Sequence, residues 1–162
     1  MRLNDREITD RAQILDILTK CQIGHLGLVD EEGVYVLPMS FAVEEVGDQV
    51  IIWCHGADGG RKFAALQAKP RVCFEAETCH QIFAAETICQ SVVDYESFIG
   101  FGQAEIIDDP IQARRGMGLV VKAYVPGRES ELPAQLPAGM IVFRIVLDQF
   151  SGKRWQLPES LK

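Results

Sequence analysis

Ile14, Leu15, Leu18 and Cys21 recur at helical spacing, which predicts a first helix with one apolar stripe for packing on a sheet. Asp10 with Gln13 three residues on forms a reciprocal capping pattern, so the helix is expected to start at Thr9 or Asp10. The period then changes to that of strands. Residues 22–29 and 34–43 are β-like, separated by turn chemistry at 30–33, and Pro38 marks an edge or a bulge because it cannot donate to a ladder. After a turn around Gly47, residues 50–54 read as a short buried strand. The segment 55–62 breaks the β pattern, and Phe63, Leu66 and the alanines read as a short helix ended by Pro70. Further strands are expected near 71–76, 82–85, 98–107 and 140–147.

A second long helix is predicted from Asp109, with Pro110 at its first position and Gln112 completing the cap. It should turn Ile111, Met117, Val120, Val121 and Tyr124 towards the core and stop at Pro126 and Gly127. Gly116 and Gly118 weaken it by roughly 1 kcal/mol each relative to alanine. The Pro-rich polar stretch 127–139 reads as a loop inside one domain spanning 1–162. Strands joined by tight turns, with few helices between them, favour an antiparallel sheet closed into a barrel over a doubly wound parallel sheet. The expected class is therefore mainly β (α+β), a small barrel with flanking helices.

Charge narrows the function. A net charge of −7 argues against a nucleic-acid partner or an anionic membrane surface, both of which need clustered Lys and Arg. Residues 1–10 are charged, and no apolar run approaches the roughly 20 residues of a membrane span, so a cytoplasmic location is expected. The five cysteines contain no Cys-x-x-Cys pair and read as reduced thiols. Cys73, Cys79, His80 and Cys89 are spaced too irregularly for a metal site, and none is expected there. His25, in an apolar strand, reads as a satisfied core histidine, and His80 shows no evident partner.

The segment richest in chemistry is His55-Gly56-Ala57-Asp58-Gly59-Gly60-Arg61-Lys62. A strand running through glycines into a helix presents unpaired N–H groups at the positive end of the helix dipole, and Arg61 and Lys62 add two cations there. This outlines a phosphate site, although the same pattern also suits a plain turn with two solvated cations. It is neither a Walker A loop, because Phe63 follows Lys62, nor a dinucleotide fingerprint, because no βαβ unit surrounds it. His55 could donate a proton beside a bound cofactor or simply close the strand end by a hydrogen bond.

Several segments in order resemble the pyridoxamine-phosphate-oxidase-related family that includes the nitroimidazole-resistance proteins. They are Arg6-Glu7-Ile8-Thr9-Asp10, the strand 34–41 through Pro38-Met39-Ser40-Phe41, and His55-Gly56-Ala57 to Gly60-Arg61-Lys62. Pro70-Arg71-Val72-Cys73-Phe74, Tyr95-Glu96-Ser97-Phe98 and Ser151-Gly152-Lys153 continue the match, while Val34 and Phe98 stand where the family usually has Pro and Val. The resemblance implies an FMN-binding split β-barrel, a homodimer with flavins held in grooves between subunits. By position, Arg61 and Lys62 would hold the FMN phosphate and Ser40 and Phe41 would face the flavin ring. Gly56 and Ala57 would lie beside the cofactor, and Ser97 would approach it from the barrel. Trp155, next to two cations, is the tryptophan expected to cover a cofactor or pin the dimer. Trp53 is the one expected in the core.

The resulting expectation is an FMN-dependent oxidoreductase, with FAD as a possible substitute, passing electrons from NAD(P)H to a small acceptor such as a nitroaromatic, with His55 as its candidate catalytic residue. The alternatives are a flavin- or haem-binding carrier or sensor without turnover, a pyridoxamine-phosphate oxidase, and a regulatory dimer with an empty pocket.

Overall fold

The computed structural model describes residues 4–156, excluding the side chains of Asn4 and His80. In chain order its elements are β1 (Glu7–Ile8), α1 (Arg11–Lys20), β2 (Gly24–Asp30), β3 (Gly33–Met39), β4 (Phe41–Val46), β5 (Gln49–Ala57), α2 (Gly60–Ala68), β6 (Arg71–Phe83), β7 (Val92–Ile106), α3 (Pro110–Tyr124) and β8 (Met140–Trp155). Every pairing is antiparallel, in the order β3-β2-β6-β7-β8-β5-β4, with β1 added to β8. The two ends of this ribbon, β3 and β4, are separated in the chain by Ser40 alone, so the ribbon must curl back on itself and the barrel is split at Ser40. Pro38 lies on β3, an edge strand, where its missing N–H costs no ladder bond.

Two-residue alternation fills the interior. Leu26 and Leu28 from β2, Phe74 from β6, Phe98 from β7, and Phe143 and Ile145 from β8 are fully buried, each side chain contributing about 1.5–3 kcal/mol of burial free energy. Ile17 and Leu18 from α1 and Leu66 from α2 join the same core. Asp10 caps α1 as predicted, accepting the Gln13 N–H at 2.9 Å, and Asp109 caps α3 by accepting the Gln112 N–H at 2.7 Å.

A smaller core lies outside the barrel, where α3 covers Ala42, Ile51, Trp53 and Val142. Of the five α3 residues expected to face inward, Val120 is buried and Met117 and Val121 are half-buried, whereas Ile111 is 79% exposed and Tyr124 39%. The correction follows from the contact stripe. It runs through Ala113, Gly116 and Val120, and this narrow face lets the helix axis come close to the Trp53 ring. A Cβ on Gly116 would stand 2.3 Å from Trp53 Cε3. Trp53 is fixed in turn by its indole N–H, which donates to Glu44 at 2.8 Å.

Several strand boundaries also differ from expectation: the run 34–43 is broken at Ser40, β7 begins at Val92 and not near 98, and β8 runs past 147 to Trp155. The pieces near 71–76 and 82–85 form one strand, with a register shift between Cys79 and Gln81. Strand β5 continues past Cys54 because His55, Gly56 and Ala57 pair with Val142, Ile141 and Met140, so the glycine-rich break begins only at Asp58.

Candidate functional site

The split places several of the predicted residues together. The last β4–β5 pair is Phe41 with Cys54, so Ser40 and His55 sit one position beyond it, at the open end of the ladder. Five residues past His55, α2 starts at Gly60, whose φ of +81° a side chain would strain. Gly59 caps α2 without a side-chain hydrogen bond, which leaves the first-turn N–H groups free of a capping oxygen. Asp58 N–H donates to the Gly139 carbonyl at 3.0 Å and ties this corner to the loop before β8.

Lys62 lies on the first turn of α2 and folds back over β5. A Cβ on Gly56 would meet its Nζ at 2.0 Å, so glycine at 56 is what leaves room for the ammonium group. Lys62 is half-buried with no carboxylate partner among the described residues, and burial lowers its pKa. The neighbouring His55 has a buried Nδ1 without a hydrogen-bond partner; burial first, and the Lys62 charge second, pull the imidazole below its ordinary value and keep it neutral at pH 7. Cys54 is fully buried, and desolvation pushes its thiol up, so it is no nucleophile.

Arg61 faces elsewhere. Its guanidinium grips Asp30 at 2.5 and 3.0 Å, reaches Glu32 at 3.2 Å and lies over the Tyr35 ring at 4.5 Å, which holds the β2–β3 hairpin against α2. The Asp30 carboxyl is held below its usual range chiefly by this hydrogen bond. Phe41 points into the core, 3% exposed and edge-on to Phe74 at 5.0 Å. Only its backbone faces the split. Ala57 is exposed at the end of β5.

Ser97 and Trp155 belong to another region. Ser97 pairs with Glu77 and Lys153, and Trp155 with Tyr95, thirteen residues along β8 from the Val142 that pairs with His55. Trp155 is half-buried, with the Arg6 guanidinium 5.8 Å from its ring. One chain therefore brings together Ser40, the Phe41 backbone, His55, Gly56 and Lys62, and holds Arg61, Ser97 and Trp155 apart from them.

Tyr124 is a site-forming residue that sequence patterning assigned to the core. Its hydroxyl accepts the Phe41 N–H at 2.9 Å and donates to the Gln22 carbonyl, closing the split from the α3 side. A partner 83 residues away leaves no local signal. Beside it opens a cavity of about 560 Å³, lined by Cys21, Phe41, Ala42, Leu119, Lys122 and Tyr124. His25 corrects the expectation of a core histidine: it is half exposed, with Nδ1 3.2 Å from Glu75, because its position on β2 falls on the outward side of the pleat.

The geometry has counterparts. Among solved structures, the chain is 24% identical to a Bacteroides thetaiotaomicron protein assigned to 5-nitroimidazole antibiotic resistance, covering 91% of this chain and 85% of that one with a TM-score of 0.74. It is 22% identical to the flavocytochrome Anf3 of Azotobacter vinelandii, covering 98% and 73% with a TM-score of 0.81. It is also 22% identical to an FAD- and haem-binding protein of Mycobacterium smegmatis, covering 96% and 78% with a TM-score of 0.77. These likenesses show a shared split-barrel fold. No curated protein matches the sequence significantly. The profile of the family described as pyridoxamine 5'-phosphate oxidase matches residues 10–154, nearly the whole chain, and the protein belongs to that family.

Proposed function

We propose that the protein binds a flavin nucleotide, FMN in the first instance, at the corner formed by Ser40, His55, Gly56 and Lys62, and uses it to pass electrons from NAD(P)H to a small acceptor. The observation that carries this reading is Lys62, a half-buried ammonium with no carboxylate partner among the described residues, beside an α2 N-terminus with no capping side chain. A cation desolvated in this way lacks a counter-charge, and a phosphate bound there would be met by Lys62 and by the N–H groups of the first turn. The corner fits a phosphate group, and the flavin would supply the redox chemistry.

The chain's own contribution is binding and orientation. Ser40 and the backbone at Phe41 line the split where a planar ring can lie, and the adjoining 560 Å³ cavity is of a size for a small acceptor. His55, neutral with an unpaired Nδ1, can exchange a proton or a hydrogen bond at that atom. The separation of Ser97 and Trp155 from this corner supports a homodimer, in which a second copy would bring them to the cofactor. Among the described residues no helix is long and apolar enough to cross a membrane.

The test is the visible spectrum and flavin content of the purified protein. Wild type is expected to hold flavin and Lys62→Ala to lose affinity by about 10- to 150-fold, the worth of one charge-assisted hydrogen bond. Wild type that takes up no added FMN or FAD would overturn the reading. Anaerobic oxidation of NADPH or NADH by the loaded protein with a nitroaromatic acceptor then tests turnover. A second reading, a flavin and haem carrier without turnover, draws on the flavin- and haem-containing relatives and on the free imidazole nitrogen of His55. A Soret band would mark it.

A further inference from the structure

On the outward face of the barrel, away from the phosphate corner, strand register assembles a mixed nitrogen and oxygen donor set. His25 on β2 stands directly opposite Glu75 on β6, and Glu77, two residues further along β6, falls on the same face. The His25 Nδ1 lies 3.2 Å from Glu75 Oε2 and 3.7 Å from Glu77 Oε2, and the three donor atoms all fall within 4.8 Å of one another. Ligands held about 2.1 Å from one metal ion stand about 3.0–3.4 Å apart in octahedral or tetrahedral geometry, so small rotamer adjustments close this set on an ion.

We propose that His25, Glu75 and Glu77 bind a divalent first-row transition ion, of the zinc or manganese type, at a site separate from the flavin corner. The ligand chemistry selects the ion. Calcium and magnesium favour all-oxygen shells, while one imidazole with two carboxylates suits zinc, manganese, iron(II) or cobalt. The scaffold holds the set in place: His25 is paired by Pro38 on β3 and Glu75 on β6, Glu75 by His25 and by Ile99 on β7, and Glu77 by Ser97 on β7. Two carboxylates crowded against one imidazole leave net negative charge that an ion neutralises. On this face register places Lys153 across β7 from Glu77 beyond Ser97, while Arg71, four residues along β6 from Glu75, is paired with Asp148.

The three side chains are between a third and a half exposed, so an ion can enter from solvent and keep water on its remaining positions. His25 and Glu75 also line an apolar groove of about 570 Å³ with Val29, Val36, Cys73 and Phe101, which puts those open positions beside a space for an organic ligand. The site shares no residue with the phosphate corner, so the proposal does not depend on the flavin reading.

The experiment uses untagged, chelator-stripped full-length protein, titrated calorimetrically with Zn²⁺ and separately with Mn²⁺, Mg²⁺ and Ca²⁺. One Zn²⁺ per chain is expected with micromolar or tighter affinity, Mn²⁺ weaker and Mg²⁺ and Ca²⁺ weaker still. His25→Gln and Glu77→Gln should each weaken Zn²⁺ at least 10-fold while the thermal midpoint of the metal-free protein stays at the wild-type value, and His25→Gln should also keep wild-type flavin content. Glu77 is half exposed, so its amide variant keeps the fold. No saturable Zn²⁺ site, or wild-type stoichiometry and affinity retained in both variants, would overturn the assignment.

Discussion

Gly116 and Gly118 lie two positions apart on α3, and a helix-propensity scale treats them alike, each replacement by alanine being worth up to about 1 kcal/mol of stabilisation. The tertiary structure separates them. At Gly118 a new Cβ would find only Leu132 Cδ1 at 3.8 Å, an ordinary contact, so Gly118→Ala should keep the propensity gain. At Gly116 the same atom would meet the Trp53 ring at 2.3 and 2.5 Å. That ring cannot step aside easily: it is 2% exposed, hydrogen-bonded to Glu44, and flanked by the Arg115 and Arg144 guanidinium groups. Overpacking of a filled core costs about 1–3 kcal/mol, and a contact this short against a fixed ring belongs at the upper end. Subtracting the propensity gain leaves Gly116→Ala destabilised by about 2 kcal/mol. At this chain length 1 kcal/mol moves the thermal midpoint by about 2–4 °C, so the two variants should melt on opposite sides of wild type, Gly118→Ala about 2–4 °C above and Gly116→Ala about 4–8 °C below. Urea melts at fixed flavin content separate this effect from ligand linkage. A Gly116→Ala protein as stable as wild type or more so would refute the packing argument.

The remaining predictions concern the site. Gly56→Ala displaces only the mobile end of Lys62, so it should melt within about 1 kcal/mol of wild type, as a flexible side chain gives way, yet lose flavin affinity in a spectroscopic titration. Tyr124→Phe leaves the Phe41 N–H at the split without its acceptor and should cost about 1–3 kcal/mol in urea denaturation. His55 is held below its ordinary pKa by burial, so the unfolded chain takes up its proton first as the solution is acidified. Its contribution to stability is present above about pH 6.5 and falls as pH drops from there through the lower folded-state value, and His55→Gln should flatten that segment of the stability profile.

Local chemistry settled much of this protein from the sequence. The caps at Asp10 and Asp109 and the turns at Gly33 and Gly47 depend on neighbours a few residues away, and each is where the pattern puts it. The same holds for the edge position of Pro38. The corner proposed for a phosphate was legible because its glycines, Lys62 and the start of α2 are contiguous in the chain. What sequence could not decide is which way a side chain faces once strands from distant segments pair. His25 reads as core until β2 is laid against β6 and its side of the pleat turns out to face Glu75. Arg61 and Lys62 are adjacent and chemically alike, yet successive helical positions point about 100° apart, so one grips the β2–β3 hairpin and the other folds over Gly56. Gly116 reads as a helix weakness until Trp53 is packed beneath it. For His25, Arg61 and Gly116 the deciding partner lies at least 31 residues away, and only the closure of the sheet brings it within contact.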